Sequence, residues 1–374
     1  MPLSLATAFA DVPDPRRDAE NQLHLLTDIL TIATCAVIAG ADGWEQIAAY
    51  GTAKEEFFGQ FLELPDGIPS RDTFNRVFAT LDPDAFADRF GRWMARACEA
   101  TGLVHIAIDG KSARRSPKDT STGCRHRVEA WAVENRLIRG RRSVPEGGHE
   151  ITTIPDLLAA LNLKGAVVTI DAACCQKAVV EQIREQGGDY VVCVKGNQKG
   201  LRDAVAGAFE RAGDAEFVGC GMASAVGAGH GRSEERYVTV VENPDGLPSG
   251  WTDVGAVALV CRERSVNGTR NESTAHYYLT SLRVKAAVPA GDIRNHWGTE
   301  NGLHGVLDVA FREYESRTRE GHAGANLGML RRVALSLLKR AGKKGSIQTR
   351  RMNAAWDNDY LLKVLQGITA KDSA

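Results

Sequence analysis

Several features that usually announce a function are missing from this chain. No run reaches about 18 apolar residues, the length a spanning helix needs, so no membrane segment is expected. The opening MPLSLATAFADVPDPRRD has no basic region ahead of its short apolar stretch, which argues against a secretory signal. Eight cysteines stand at 35, 98, 124, 174, 175, 193, 220 and 261 without forming a C-x-x-C. The adjacent Cys174 and Cys175 cannot both face one site from a strand or helix. Reduced, buried thiols in a cytoplasmic protein are therefore expected, with a structural zinc site as the lesser alternative. No Cys–His–Asn set supports a cysteine nucleophile. No GK[ST] accompanies Gly196 and Gly200, so a P-loop and ATP dependence are unsupported. Internal repeats and low-complexity linkers are also lacking. Nor is there a surplus of charge: the net value is −1 and the pI about 6.8, which gives no overall sign of a nucleic-acid partner.

The distribution of charge says more than its sum. Residues 321–356 hold Arg331, Arg332, Lys339, Arg340, Lys343, Lys344, Arg350 and Arg351 and no acid. Arg114, Arg115, Lys118, Arg125 and Arg127 form a second basic patch, and Arg136, Arg139, Arg141 and Arg142 a third. A single charge run is usually a solvated face. Three patches flanking a candidate acidic site favour a polyanionic substrate.

At 374 residues the chain suggests two or three structural units. Residues 1–100 read as mainly helical. LTDILTIATCAVIAG is an apolar helix ended by Gly40, and GWEQIAAYGTAKEEFFGQFLEL continues the helical period. In GIPSRDTFNRVF, Ser70 is the expected N-cap of a helix, and Asp82 or Pro83 opens the next one. Arg71, Asn75 and Arg76 on that first helix could face a groove, or the helix could simply pack in a bundle. From 101 the pattern becomes strand VHIAID, hairpin RVEAWAV and RLIRGRR turning near Glu134–Asn135, helix ITTIPDLLAALNLKG, strand AVVTID, helix CQKAVVEQIREQGG, strand YVVCVKGN, then helix QKGLRDAVAGAFERAG. This predicts an α/β fold, a ribonuclease H-like catalytic core in which ligands gather at the carboxyl ends of strands. RYVTVVEN, DVGAVALVCRER and AHYYLTSL then predict a β-rich insertion. GHAGANLGMLRRVALSLLKRAG predicts a helix with a basic face, and RRMNAAWDNDYLLKVLQG a closing amphipathic helix. The expected domains are a helical DNA-binding or associated region over 1–100, a core over 101–212 and 286–345, the insertion over 213–285 and a helical tail over 346–374.

Two of these strands end on a carboxylate, Asp109 in VHIAIDGK and Asp171 in AVVTIDAA. Downstream, DIRNHWGTENGLHGVLDVAFREYESRTRE reads as one helix with His296, Glu300, His304 and Asp308 at four-residue steps. Each step turns a helix about 400°, so the row keeps to one slowly drifting face. Two strand-end aspartates and a helical glutamate suggest an acidic triad. Hard cations choose such oxygen ligands, and two Mg²⁺ or Mn²⁺ ions held there would serve phosphoryl transfer without a side-chain nucleophile. His296 and His304 beside Glu300 could instead suggest zinc, but zinc wants three or four nitrogen or sulfur ligands and the cysteines lie far away. Positioning or packing is the better reading for both.

The ordered motifs DVPDPRR, GWEQI, GIPSRDTFNRVF, IAIDGK, EITTIPDLL, LKGAVVTIDA, YVVCVKGNQ, GHGRSEER, RNHWGTENGLH, LDVAFRE, SRTREGHA and NLGMLRRVALSLLKR span nearly the whole chain. In these the chain resembles the H-repeat-associated insertion-sequence transposases (Rhs-linked, the ISAs group), members of the DDE superfamily. The resemblance implies that Asp109, Asp171 and Glu300 are the catalytic, metal-holding acids, with His296, His304 and Asp308 supporting them. It also implies DNA contacts from Lys111 of DGK, Lys195 and Asn197 of KGNQ, Arg232 and Arg236 of the HGR-x-E-x-R motif, Arg294, and Arg317 of SRTR. Some positions depart from the wider pattern. Ile293, His296 and Leu307 stand where related enzymes often carry Tyr, Arg and Lys, Gly305 where Trp is frequent, and Tyr314 where an acid is usual.

The expected activity is metal-dependent cleavage of DNA at element ends and strand transfer into target DNA, by a cytoplasmic homodimer assembled on terminal inverted repeats. Two alternatives differ in kind. A silenced copy would act only as a DNA-binding protein, and a ribonuclease H-like nuclease would cut without joining.

Overall fold

The computed structural model describes residues 9–16, 22–98, 105–112, 126–132, 137–144, 148–229, 232–266, 269–283, 290–294 and 300–366. The chain divides into two compact units, the first comprising residues 1–102, 110–153 and 300–374 and the second residues 103–109 and 154–299.

In the first unit, α1 (Leu26–Ile38) is almost wholly buried, including Asp28, whose carboxylate accepts from the Leu64 amide at 3.0 Å. α2 (Trp44–Ala53) and the short α3 (Glu55–Phe58) follow. α4 (Arg71–Thr80) starts where expected: the Ser70 side chain accepts from the Thr73 amide at 3.2 Å. Its Phe74, Val77 and Phe78 face inward, with Phe78 stacked on Trp44 at 4.9 Å, while Arg71 and Arg76 stay exposed. Asp82 then accepts from the Asp84 and Ala85 amides at 2.8 and 3.0 Å, opening α5 (Pro83–Cys98) with proline in the first turn. β2 (His126–Ala132) and β3 (Leu137–Ser143) form the expected antiparallel pair, with a bulge between Ala130 and Trp131. Their turn lies outside the described residues.

The centre of this unit is α10 (Ala323–Arg340), numbered after the elements below. It touches α1, α4 and α5 together with α11 (Ile347–Trp356) and α12 (Asn358–Gln366). The sequence predicts a basic face here, and the structure corrects it. Arg331 and Arg332 are 2% and 1% exposed, because each finds acceptors inside the unit and the surrounding apolar residues draw the whole helix in. Arg351, from the same basic run, is also buried, donating to Val37, Ala41 and Asp42.

The second unit is built on a sheet. β1 (His105–Ser112) runs through both units, and β4 (Val167–Ile170) and β5 (Asp189–Val194) lie parallel to it. Both short strands are almost wholly buried, so they read as continuous apolar runs. α7 (Lys177–Glu185) links β4 to β5, and α8 (Lys199–Asp214) follows β5. α6 (Glu150–Ala159) is shorter than the helix expected to run to Gly165. That glycine, at φ +72°, instead sits in a turn, where its amide donates to the Gly187 carbonyl at 2.9 Å. β6 (Gly221–Gly229), β7 (Arg232–Glu242), β8 (Ala256–Val266) and β9 (Thr269–Thr280) form an antiparallel meander. β9 pairs with β5, so the meander extends the same sheet, in the order β3-β2-β1-β4-β5-β9-β8-β7-β6. This is the mixed α/β architecture expected, with an antiparallel hairpin beside a parallel β1-β4-β5 core. β6, in GMASAVGAG, has no strand signal in sequence because small residues carry little β propensity.

The long helix expected over 292–320 is not continuous. A helical turn covers 290–294, residues 295–299 lie outside the described residues, and a π-helical turn spans Glu300–His304 before α9 (Gly305–Ala310). A π turn bonds i to i+5, so its extra residue rotates the four-residue polar row. α9 stops at Phe311, and Arg312 takes the left-handed conformation at φ +49°. Among the described residues no helix is long and apolar enough to cross a membrane.

Candidate active site

Parallel register brings the first two acids together. Ile108 is the partner of Ile170, so Asp109 and Asp171 are the next residues on neighbouring strands. Adjacent strands lie about 4.8 Å apart. Both carboxylates are half-buried just past the β1–β4 ladder; Asp171 follows the last residue of β4, whereas Asp109 lies within β1, which runs on to Ser112 instead of ending there as its sequence suggests. Asp171 precedes a 3-10 turn (Ala172–Cys174) without spending its side chain on a cap.

β5 delivers the KGNQ motif to the same end of the sheet. Lys195 follows the last strand residue, and its Nζ lies 3.2 Å from Asp171 Oδ1. Asn197 Nδ2 donates to the Ala172 carbonyl at 2.7 Å, and Gln198 Nε2 to the Cys175 carbonyl at 2.9 Å. These two amides pin the turn that carries Asp171. The cysteines beneath are poor candidates for chemistry. Burial pushes the Cys193 thiol up to about 11 against the pull of Lys195, and the Cys175 thiol up to about 12. Both are neutral thiols at physiological pH, which disfavours nucleophilic and soft-metal roles. Cys35 and Cys174 are buried too.

His276 and Arg262 were not singled out from sequence. Burial, followed by Lys195 and Arg262, holds His276 below its ordinary pKa, with Asp171 opposing. The available signal was the alternation in AHYYLTSL, which puts His276 and Tyr278 on one strand face. Both line a pocket of about 160 Å³ together with Arg236, Arg262 and Arg294. Two of the expected DNA-contacting arginines, Arg236 and Arg294, are thus brought to one place.

Several of the remaining expected residues are described only in part. Glu300 opens the π turn, but its side chain lies outside the described residues, as do the side chains of Lys111 and Arg232 and the whole of His296. Among the described residues no group of three or more His, Cys, Asp or Glu could hold a metal ion. The donor chemistry of Asp109 and Asp171 nevertheless fits a hard cation, and the ammonium of Lys195 already sits as a positive charge on Asp171.

His304 belongs to a buried charge cluster in the first unit. Glu129, 1% exposed, accepts from Arg332 Nε at 2.6 Å, with Arg141 Nε at 3.8 Å and His304 Nε2 at 3.9 Å. Arg332 also reaches Glu313. Burial alone would raise the Glu129 pKa, but Arg332, Arg141 and His304 outweigh it and hold the carboxyl below the usual range. Lys339 donates to the Gly302 carbonyl within the π turn and lies over the Trp131 ring at 5.1 Å. The turn that begins with Glu300 is therefore held from beneath by charges contributed from β2, β3 and α10. Asp308 is half-buried on α9, and Arg317 is exposed beside a cleft of about 650 Å³.

Comparison with known proteins gives a consistent picture. The family described as "Transposase DDE domain" matches residues 100–338, and the one described as "DDE_Tnp_1-associated" matches residues 6–94. The chain is 34% identical over 366 residues to the H repeat-associated putative transposase YhhI of Escherichia coli K12, covering 95% of this chain and 96% of that protein. It is 44% identical over 263 residues to an uncharacterized protein in the dhlA 3′ region of Xanthobacter autotrophicus, covering 70% of this chain and 88% of that one. It is 35% identical over 370 residues to a putative transposase, YncI, of Escherichia coli O157:H7, covering 97% and 94%.

Proposed function

The chain belongs to the DDE transposases, DNA-cutting and joining enzymes, and from that premise we propose that it cleaves DNA at the ends of its own insertion sequence and transfers the freed 3′-hydroxyl into target DNA. The observation that carries this reading is the placement of Asp109 and Asp171 at adjacent positions on neighbouring parallel strands, just past their paired ladder, with Lys195 beside Asp171. In this reading Asp109 and Asp171 hold Mg²⁺ or Mn²⁺, with Glu300 as the third acid. Such cations, when bound, supply charge stabilisation and activation of the attacking oxygen in phosphoryl transfer. Lys195, whose ammonium lies 3.2 Å from Asp171 Oδ1, would offer its charge to a backbone phosphate if a bound cation compensated that carboxylate instead. Arg236 and Arg294 hold the strand beside the site, and Lys111, Asn197, Arg232 and Arg317 are assigned DNA contacts as well. His304, through Glu129, steadies the turn that begins with Glu300. His296 and Asp308 are assigned the same supporting role.

The proposed domains are those expected from sequence: 1–100 associated with DNA binding, 101–212 and 286–345 catalytic, 213–285 an insertion and 346–374 a tail. A homodimer on paired element ends, working in the cytoplasm, completes the proposal.

The test uses the gene with its native flanking DNA on a donor plasmid in bacterial cells, with amplification across the emptied site. The wild type should yield excised and rejoined products. Asp109→Asn, Asp171→Asn and Glu300→Gln should each yield none. Undiminished excision by any of the three would remove that residue from the proposed triad.

A further inference from the structure

β1 keeps its extended course beyond its pairing with β4. Ile108 and Ile170 are the last matched pair, yet the strand runs on through Asp109 and Gly110 to Ser112. On its β4 side, the backbone that carries Asp109 has therefore lost its ladder. Gly110 shows what braces it instead. A Cβ added there would fall inside van der Waals contact of the Glu150 carboxyl, whose farther oxygen, Oε2, would be only 2.9 Å away. The φ of Gly110 is not positive, so backbone conformation does not call for glycine at this position. The close approach of Glu150 does. Glu150 opens α6, is half-buried, and belongs with Gly110 to the first unit.

Successive residues of a strand point to opposite faces. The place of the missing Gly110 side chain is thus on the face of β1 away from the Asp109 carboxylate, and the Glu150 carboxyl fills that place. Glu150 therefore does not stand beside Asp109 as a further ligand. It backs the strand one residue after it. α6 in turn holds Glu150, whose carboxylate sits in the first turn of a ten-residue helix, where negative charge is favoured. The two positions are tied together, because any side chain at 110 needs the space that Glu150 occupies.

From this arrangement we infer that Glu150 is a positioning residue for Asp109. Its carboxyl, seated against Gly110, fixes the course of β1 where the ladder to β4 has ended. In doing so it fixes the direction in which Asp109 presents its carboxylate. The inference rests on the reading of Asp109 as a cation-holding acid. It also gives a role to EITTIPDLL, a segment that the proposed function leaves unused. Partners that orient a metal-holding group are worth about 10–100-fold in metal affinity or activity. The Glu150 seat should act on that scale without touching DNA or the metal.

The test uses the full-length protein. In metal-free protein without DNA, hydrogen–deuterium exchange read by mass spectrometry should be faster across β1, residues 105–112, in Glu150→Ala than in the wild type. On a duplex carrying the element's termini, Glu150→Ala should raise the Mn²⁺ concentration for half-maximal cleavage by about 10–100-fold and leave duplex affinity unchanged. Glu150→Gln keeps the shape of the side chain and should recover most of the loss. Gly110→Ala displaces the carboxyl, so the double variant Gly110→Ala with Glu150→Ala should be no worse than Gly110→Ala alone. Losses that multiply in the double variant would overturn the seat, as would wild-type exchange and wild-type Mn²⁺ dependence in Glu150→Ala. If Glu150→Ala does not fold, wild-type Mn²⁺ dependence in Gly110→Ala would overturn it. A wild type that cleaves no DNA, with the exchange difference intact, would overturn the reading of Asp109 and leave the contact standing.

Discussion

Glu129 lies between Arg332 and Arg141, with His304 close to its second oxygen, and all four side chains come from separate segments of the chain. Removing one partner of a buried ion cluster leaves the others uncompensated, so Glu129→Gln should cost about 3–5 kcal/mol in urea unfolding at neutral pH. Its pH dependence has a definite sign. The folded carboxyl titrates below its ordinary value of 4.5, so its contribution is complete above that value and is lost as pH falls through the depressed one. Wild-type stability should therefore drop more steeply in acid than that of Glu129→Gln, and equal slopes would contradict the arrangement. His276 carries the opposite charge logic. Burial and the nearby Lys195 and Arg262 favour its neutral form, so the midpoint of its imidazole titration followed by NMR should lie below the ordinary 6.5. The residues of the acidic pair were legible in sequence because each ends an apolar run. Glu129 and His276 were not, since a buried charge cluster and a cross-strand neighbour leave no periodic trace along one segment.

Helix starts were the most legible elements. Ser70 caps α4 as its position in PSRDTF predicts, and Ser70→Ala should cost about 1 kcal/mol in thermal or urea unfolding. The segment before α10 is fixed differently. Gly321 has φ +46°, and an added Cβ would stand 2.4 Å from the Ala79 carbonyl oxygen, which also accepts from the His322 amide at 2.9 Å. Backbone cannot yield there as a side-chain tip can. Gly321→Ala should therefore cost on the order of 1–3 kcal/mol from strain alone. A variant with wild-type melting temperature would contradict the close approach. Two elements were misread for physical reasons. α10 carries arginines in a helical period that looks solvent-facing, yet Arg331 donates to the Asp42 carbonyl and Arg332 to the Glu129 and Glu313 carboxylates inside the unit. The π turn breaks a four-residue row that only an ideal helix would keep in line.

At the scale of the molecule, the alternation of strands and helices after residue 101 foretold the mixed sheet, and the order of motifs foretold the family. Sequence showed strand-like segments in 213–285, but not that β9 would pair with β5 and continue the central sheet. Pairing partners depend on contacts between distant segments, which local periodicity does not encode. The central claim is that Asp109 and Asp171 act as one site in cutting DNA. It is tested most directly by measuring the rate of end cleavage on a duplex carrying the element's own termini, in Mg²⁺ or Mn²⁺, with binding measured in the same samples. Even outer partners of metal ligands are worth 10–100-fold, so Asp109→Asn and Asp171→Asn should each slow cleavage by more than about a hundredfold while binding the duplex as the wild type does. Cleavage at the wild-type rate by either variant would contradict the account.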